Sequence, residues 1–185
     1  LVGSEMCIRD RYYTAELVKK EQPDCKTVFI GPCLAKRVEA ETDPNVDYVL
    51  TFEEMNAIFS GANINVATAE PAEFTTVSCA QGRGFSVSGG VAGAVASLIE
   101  GKVNYQPLKV DGLTKETVKL LKRYGSKAAS GAVCTNPDGC PFNMIEVMCC
   151  EGGCVAGPGC VALPKKSAKA VETYTAQGSD LKEKM

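Results

Sequence analysis

The chain has 185 residues, 45% of them apolar, enough for one domain with a real core and in keeping with a soluble α/β protein. Lys and Arg number 20 against 22 Asp and Glu, so a net charge of −2 offers no cationic footprint for nucleic acid or an anionic membrane surface. Histidine is absent, which excludes Ser-His-Asp and Cys-His nucleophiles, HExxH zinc sites and the usual haem ligand.

In chain order, the opening run LVGSEMCIRDR (1–11) joins awkwardly to the residues after it; it reads as a non-native leader and is set aside, with no role for Cys7. TAELVKKEQ (14–22) predicts a helix that Pro23 and Asp24 break, and KTVFIG (26–31) a buried strand. PCLAKRVEAE comes next as a helix with Pro32 near its first position. VDYVLT (46–51) predicts a second strand and FEEMNAIFS (52–60) a helix whose Phe52, Met55, Ile58 and Phe59 recur at helical spacing, as core residues do.

Residues 61–88 carry little periodicity and read as a long loop with a job, ending in the Gly-rich run GRGFSVSGG (82–90). GGVAGAVASLIEGK then predicts a helix, LKVDGL (108–113) a strand, and ETVKLLKRYG (116–125) a helix closed by glycine. FNMIEVM (142–148) predicts the last strand, CCEGGCVAGPGC a cysteine- and glycine-rich turn, and KKSAKAVETY (165–174) a closing helix before a frayed tail from residue 177. Alternating strands and helices predict an α/β fold, a parallel sheet flanked by helices, with 12–176 as one domain. Ligands of such sheets sit beyond the carboxyl ends of the strands, where Cys33, Cys150 and Cys154 all fall in sequence.

No run approaches the roughly 20 apolar residues of a membrane span, the longest being Val91 to Ile99. No export signal is recognisable, so a cytoplasmic location is expected. Ten cysteines in a reducing compartment point to metal or redox chemistry rather than disulfides. Cys150 and Cys154 by themselves could ligate zinc, an iron–sulfur group or nothing. Gly152 and Gly153 between them let backbone pass close to a bulky inorganic object.

GPCLAKRVE (31–39) resembles the second signature of iron-only hydrogenases, Pro-Cys-x-x-Lys-x-x-Glu, and EVMCCEGGCVAGPG (146–159) resembles the third, Glu-x-Met-x-Cys-x-Gly-Gly-Cys. FSVSGG (85–90) is similar to the Ser/Thr-Gly-Gly loop beside the diiron site, which places Phe85, Ser88, Gly89 and Gly90 there, and Gly152 and Gly153 would form a turn around the cluster. The resemblance covers nearly all of 25–175 and implies the second lobe of a hydrogenase active-site domain.

It also implies roles. Cys33, Cys150 and Cys154 would ligate a [4Fe-4S] cluster, joined through Cys154 to a diiron subcluster bearing carbonyl, cyanide and a dithiolate bridge. Lys36 would hydrogen-bond a cyanide, Glu39 would orient Lys36, and Met148 would pack its thioether against the diiron site. Ferredoxin or a similar carrier would take the electrons. The family's first signature, Cys-Cys-Pro, is expected before residue 12 and is absent, so an N-terminal lobe is an expected partner. Gly31 stands where many catalytic members have methionine, and Cys149 where many have alanine. Cys25, Cys79, Cys134, Cys140 and Cys160 match no ligand position. A sensory hydrogenase-like module and a cluster-binding assembly protein without diiron are the alternative readings.

Overall fold

The computed structural model describes the backbone of residues 6–72, 78–99, 104–129, 142 and 144–180, and their side chains except those of 6–10 and 124–129. Cys134, Cys140 and the Cys7 side chain lie outside these described residues. The chain falls into two compact units, Gly3–Glu73 with Gly157–Val161, and Phe74–Ala156 with Ala162–Met185.

The first unit is built on one βαβ element. Helix α1 (Met6–Glu21) precedes strand β1 (Val28–Ile30), helix α2 (Ala35–Thr42), strand β2 (Tyr48–Leu50) and helix α3 (Phe52–Gly61). β1 and β2 pair in parallel with Val28 opposite Tyr48, and the crossover that parallel strands require runs through α2. Helix α1 starts well before the residue 14 that periodicity suggested, and Arg11 within it is buried. The Arg11 guanidinium lies 3.3 Å from Glu39 and 3.4 Å from Asp43, over the Phe29 ring.

Pro32 does not open α2. It sits before the Leu34 N-cap, and its carbonyl accepts from Gly159 N at 2.9 Å. Thr51 and Glu54 start α3 with a reciprocal capping box, the Thr51 hydroxyl accepting from Glu54 N and the Glu54 carboxylate from Thr51 N. The expected core stripe on α3 is only partly inside. Met55 and Phe59 are half-buried, but Phe52 and Ile58 are 41% and 50% exposed.

The second unit repeats the βαβ arrangement. Short helix α4 (Ala80–Arg83) leads through the Gly-rich run into α5 (Gly90–Ile99), followed by β3 (Pro107–Asp111), α6 (Lys115–Ala129), β4 (Met144–Met148), a 3₁₀ turn (Cys154–Ala156) and α7 (Pro164–Ala176). β3 and β4 pair in parallel with Val110 opposite Val147. Val91, Ala92, Ala94, Val110, Met148 and Val155 form the buried apolar set of this unit. α4 packs on α5 and α7, and the Arg83 guanidinium stacks 4.1 Å over the Tyr174 ring. Beyond α7, Ser179 O accepts from Ala80 N at 2.8 Å.

Helix α6 does not stop at Gly125 but continues to Ala129, a lone glycine costing only about 1 kcal/mol inside a helix. The described strands form two separate parallel pairs, one in each unit, rather than one continuous sheet. Each strand pairs with its neighbour in sequence across a single crossover. The fold class, α/β with parallel strands and flanking helices, holds.

Candidate functional site

In the second unit the site is assembled at the carboxyl end of β4. Strand alternation puts Glu146 and Met148 on one face, 6% and 3% exposed. Glu146 is a buried carboxylate, costly unless its oxygens are bonded, and both are. Gly89 N donates to Oε1 at 2.6 Å and Ala92 N to Oε2 at 2.7 Å. These are donors of the first turn of α5 and the residue before it, where the helix dipole also favours negative charge. The carboxylate thereby ties the Ser88–Gly89–Gly90 loop to the strand that carries Met148 and leads into Cys150.

The cysteine turn is pinned from two sides, β3 and the Gly-rich loop. Gly152 N donates to Asp111 Oδ1 at 2.8 Å, at the end of β3. Ser88 N donates to Gly152 O at 3.2 Å, and Val155 N to Ser86 O at 3.1 Å. Gly153 has φ +94°, and a Cβ there would lie 2.7 Å from both Ser86 O and Ser88 N. Only glycine lets the turn and the loop come so close. Gly90 shows the same demand on the other side of the loop, where a Cβ would stand 2.0 Å from Gly84 O. The Lys109 side chain lies over Gly89, its Nζ 3.0 Å from where a Cβ would be.

Ser88, Gly89, Gly152, Gly153 and Cys150 are thereby linked through hydrogen bonds with the end of β4 that carries Met148, while Phe85 and Gly90 lie on the same loop and Cys154 on the same turn. Cys150 and Cys154 are half-buried and Cys149 is exposed. Tyr105 braces the assembly from behind, its hydroxyl 2.9 Å from Ala92 O and from the Met144 sulfur. Burial, and then the charge of Glu146, raise the Tyr105 pKa.

Cys33, Lys36 and Glu39 lie in the first unit. Cys33 is half-buried between β1 and α2. Lys36 Nζ bonds Glu39 Oε1 at 2.8 Å, both side chains largely shielded, at 14% and 19% exposure. The pair has the i, i+3 spacing of neighbours on one helix face. Gly159, shortly after Cys154 in sequence, is held in this unit against Pro32, the neighbour of Cys33.

Sequence reasoning assigned nothing to Glu146 or Asp111. The signal for Glu146 was present in its spacing of two from Met148, which puts a carboxylate on the buried face of a strand. Asp111 left no such mark.

The donor set suits iron–sulfur chemistry in part: two thiols on one turn, close-approach glycines, and no histidine to compete. Among the described residues no three Cys, Asp or Glu side chains stand together as a complete metal-ligand set. No described helix is long and apolar enough to cross a membrane.

Residues 6–158 match the family described as iron only hydrogenase large subunit, C-terminal domain. The NADP-reducing hydrogenase subunit HndD of Solidesulfovibrio fructosivorans is 29% identical over 173 residues, covering 80% of this chain and 30% of that protein. The periplasmic [Fe] hydrogenase large subunit of Nitratidesulfovibrio vulgaris is 27% identical over 180 residues, covering 82% of this chain and 42% of that one. The chain therefore spans less than half the length of these curated relatives. The HydA(deltaEFG) structure, in which stepwise [FeFe]-hydrogenase H-cluster assembly was revealed, shares the fold at a TM-score of 0.51 and 18% identity, covering 83% of this chain and 55% of that chain. With its two cysteine signatures and the loop between them inside the matched span, this chain belongs to the family formed by the C-terminal domain of the iron-only hydrogenase large subunit.

Proposed function

We propose that the chain forms part of the active-site domain of a cytoplasmic hydrogenase that interconverts dihydrogen with protons and electrons, exchanging the electrons with ferredoxin or a similar carrier. Cys150 and Cys154, with Cys33 from the first unit, would hold a [4Fe-4S] cluster linked to a diiron subcluster bearing carbonyl, cyanide and a dithiolate bridge. The fourth ligand would come from an N-terminal lobe. When bound, this group supplies the reaction centre and the path for electrons.

The chain's own residues bind, orient and enclose. Lys36, one of its donors satisfied by Glu39, keeps others for an anionic cyanide. Met148 presents a buried thioether at the strand end that leads into the cysteine turn, and the Ser88–Gly90 loop, bonded to Gly152, would form one wall of the pocket. The carrying observation is the glycine-only contact between Gly153 and the Ser86–Ser88 backbone, which makes a close cradle directly beside two thiols.

Anaerobic reconstitution with iron and sulfide tests the reading. The wild-type chain should take up iron with a visible sulfide-to-iron charge-transfer band, and Cys150→Ser, Cys154→Ser and Cys33→Ser should each lose most of it. Uptake that survives all three substitutions would overturn the assignment.

A sensory module is the second reading, favoured by Gly31. No side chain occupies a position where many catalytic members have methionine, and the Phe29 ring fills that space, 2.9 Å from where a Cβ would stand. Hydrogen turnover by the cofactor-loaded chain combined with its N-terminal lobe would decide for catalysis, and a loaded but inactive combination of the two for sensing.

A further inference from the structure

We propose that Glu146 is a positioning residue for the iron–sulfur group: by holding Gly89 N and Ala92 N it fixes the Ser88–Gly89–Gly90 loop against the Cys150–Cys154 turn, so that the two walls meet the group at one spacing. The inference rests on the proposed function for the identity of the group, but the clamp itself is independent of it.

Three features support it. The carboxylate is buried, so water does not readily replace its two donors. It uses both oxygens, one on the loop residue Gly89 and one on the helix residue Ala92, which fixes direction as well as distance. The linkage also closes a ring: Glu146 to Gly89, Ser88 to Gly152, Gly152 to Asp111, and β3 back to β4 through their ladder. A break at Glu146 leaves the loop attached to the cysteine turn, with the Tyr105 hydroxyl, between Ala92 O and the Met144 sulfur, as the remaining described side-chain link from the start of α5 to β4. Capping of α5 alone would need a negative charge in the right neighbourhood, whereas positioning needs this reach.

The test compares wild type, Glu146→Gln and Glu146→Asp in the whole 185-residue chain. Glutamine keeps the length and loses one acceptor; aspartate keeps the charge and loses one methylene. Amide hydrogen exchange at Gly89 and Ala92 in the iron-free protein should quicken roughly tenfold or more in both variants, the factor expected from loss of one charge-assisted bond. After anaerobic loading, well below the unfolding midpoints, a chelator should strip iron several-fold faster from both. Recovery of wild-type exchange and iron retention by Glu146→Asp would reduce the residue to a helix cap and overturn the proposal. Unchanged iron retention in both variants, or loss of the folded state in both by circular dichroism, would overturn it too. Wild-type protein that takes up no iron at all would overturn the proposed function, while the exchange data would still decide whether the clamp exists.

Discussion

Glu146 and Gly89 lie 57 residues apart in sequence, yet the carboxylate of one accepts the amide of the other at 2.6 Å in the interior of the second unit. A short bond from a buried charge to a loop amide, repeated at Ala92, makes the cysteine-bearing strand and the Gly-rich loop one cooperative piece. Glu146→Ala should lower the unfolding free energy by roughly 2–4 kcal/mol, since it leaves two amides without acceptors. Urea unfolding measures this directly. A loss below about 0.5 kcal/mol, the range of ordinary surface changes, would mean that water satisfies the amides as well.

Gly152 and Gly153 should respond differently to alanine. Both have positive φ, +89° and +94°, so each substitution carries about 1 kcal/mol of backbone strain. At Gly152 a Cβ meets nothing within 4 Å, whereas at Gly153 it strikes backbone atoms 2.7 Å away. Gly153→Ala should therefore destabilise by several kcal/mol and abolish iron uptake, while Gly152→Ala should remain folded. Equal effects on iron uptake and on the thermal midpoint would contradict the close-packed cradle.

The acid limb of stability should reflect two carboxylates of the first unit, the more exposed Glu54 and the half-buried Asp47. The Arg37 guanidinium, with the backbone and hydroxyl of Thr51, lowers the Glu54 pKa from 4.5 to about 2. Asp47 is also held low, by the Thr27 amide first and then by Lys19 and Lys26. A depressed folded-state pKa adds stability that is complete above the unfolded value and disappears as pH falls through the folded one. The Glu54 contribution should thus fade from pH 4.5 toward pH 2. Thermal midpoints of wild type and Glu54→Gln, recorded across that window, should converge as pH falls. Parallel curves would show that the Thr51–Glu54 box carries no linked proton.

Much of this could be read from the chain because local physics and local pattern agreed. Strand β4, the turn after it and helix α7 follow from alternation, from glycine between cysteines and from Pro164 at the start of a helix. The Lys36–Glu39 pair follows from helical spacing alone. The bonds of Glu146 and Asp111 were not legible, because their partners are backbone amides, which leave no residue-type signature, and lie 57 and 41 positions away. The exposure of Phe52 and Ile58 was missed for a related reason. Helical spacing shows that an apolar face exists, but not whether anything covers it.

Expressed by itself, the chain should bind an iron–sulfur cluster weakly and evolve no hydrogen, even when supplied with a synthetic diiron cofactor. A [4Fe-4S] cluster is ordinarily held by four cysteine thiolates, and under the proposed function this chain supplies three, Cys33, Cys150 and Cys154. The iron left over would take water or an added thiol, a labile bond exposed to oxidation. Two other cysteines are the natural candidates to fill the gap, and their chemistry differs. Cys149 is exposed and adjacent to Cys150, so a thiolate there is accessible but held on the same tight turn. Cys160 belongs to the first unit, and burial pushes its thiol pKa up, opposed only in part by a hydrogen bond with the Gly157 backbone, which makes it a poorer thiolate at neutral pH. Iron and sulfide content, the visible spectrum and hydrogen evolution from reduced methyl viologen, each measured with and without added thiol, check the prediction. Iron binding that strengthens with added thiol supports three protein ligands. A tight cluster with hydrogen production and no thiol dependence, lost in Cys149→Ser or Cys160→Ser, would show that one of these supplies the fourth ligand from within the chain.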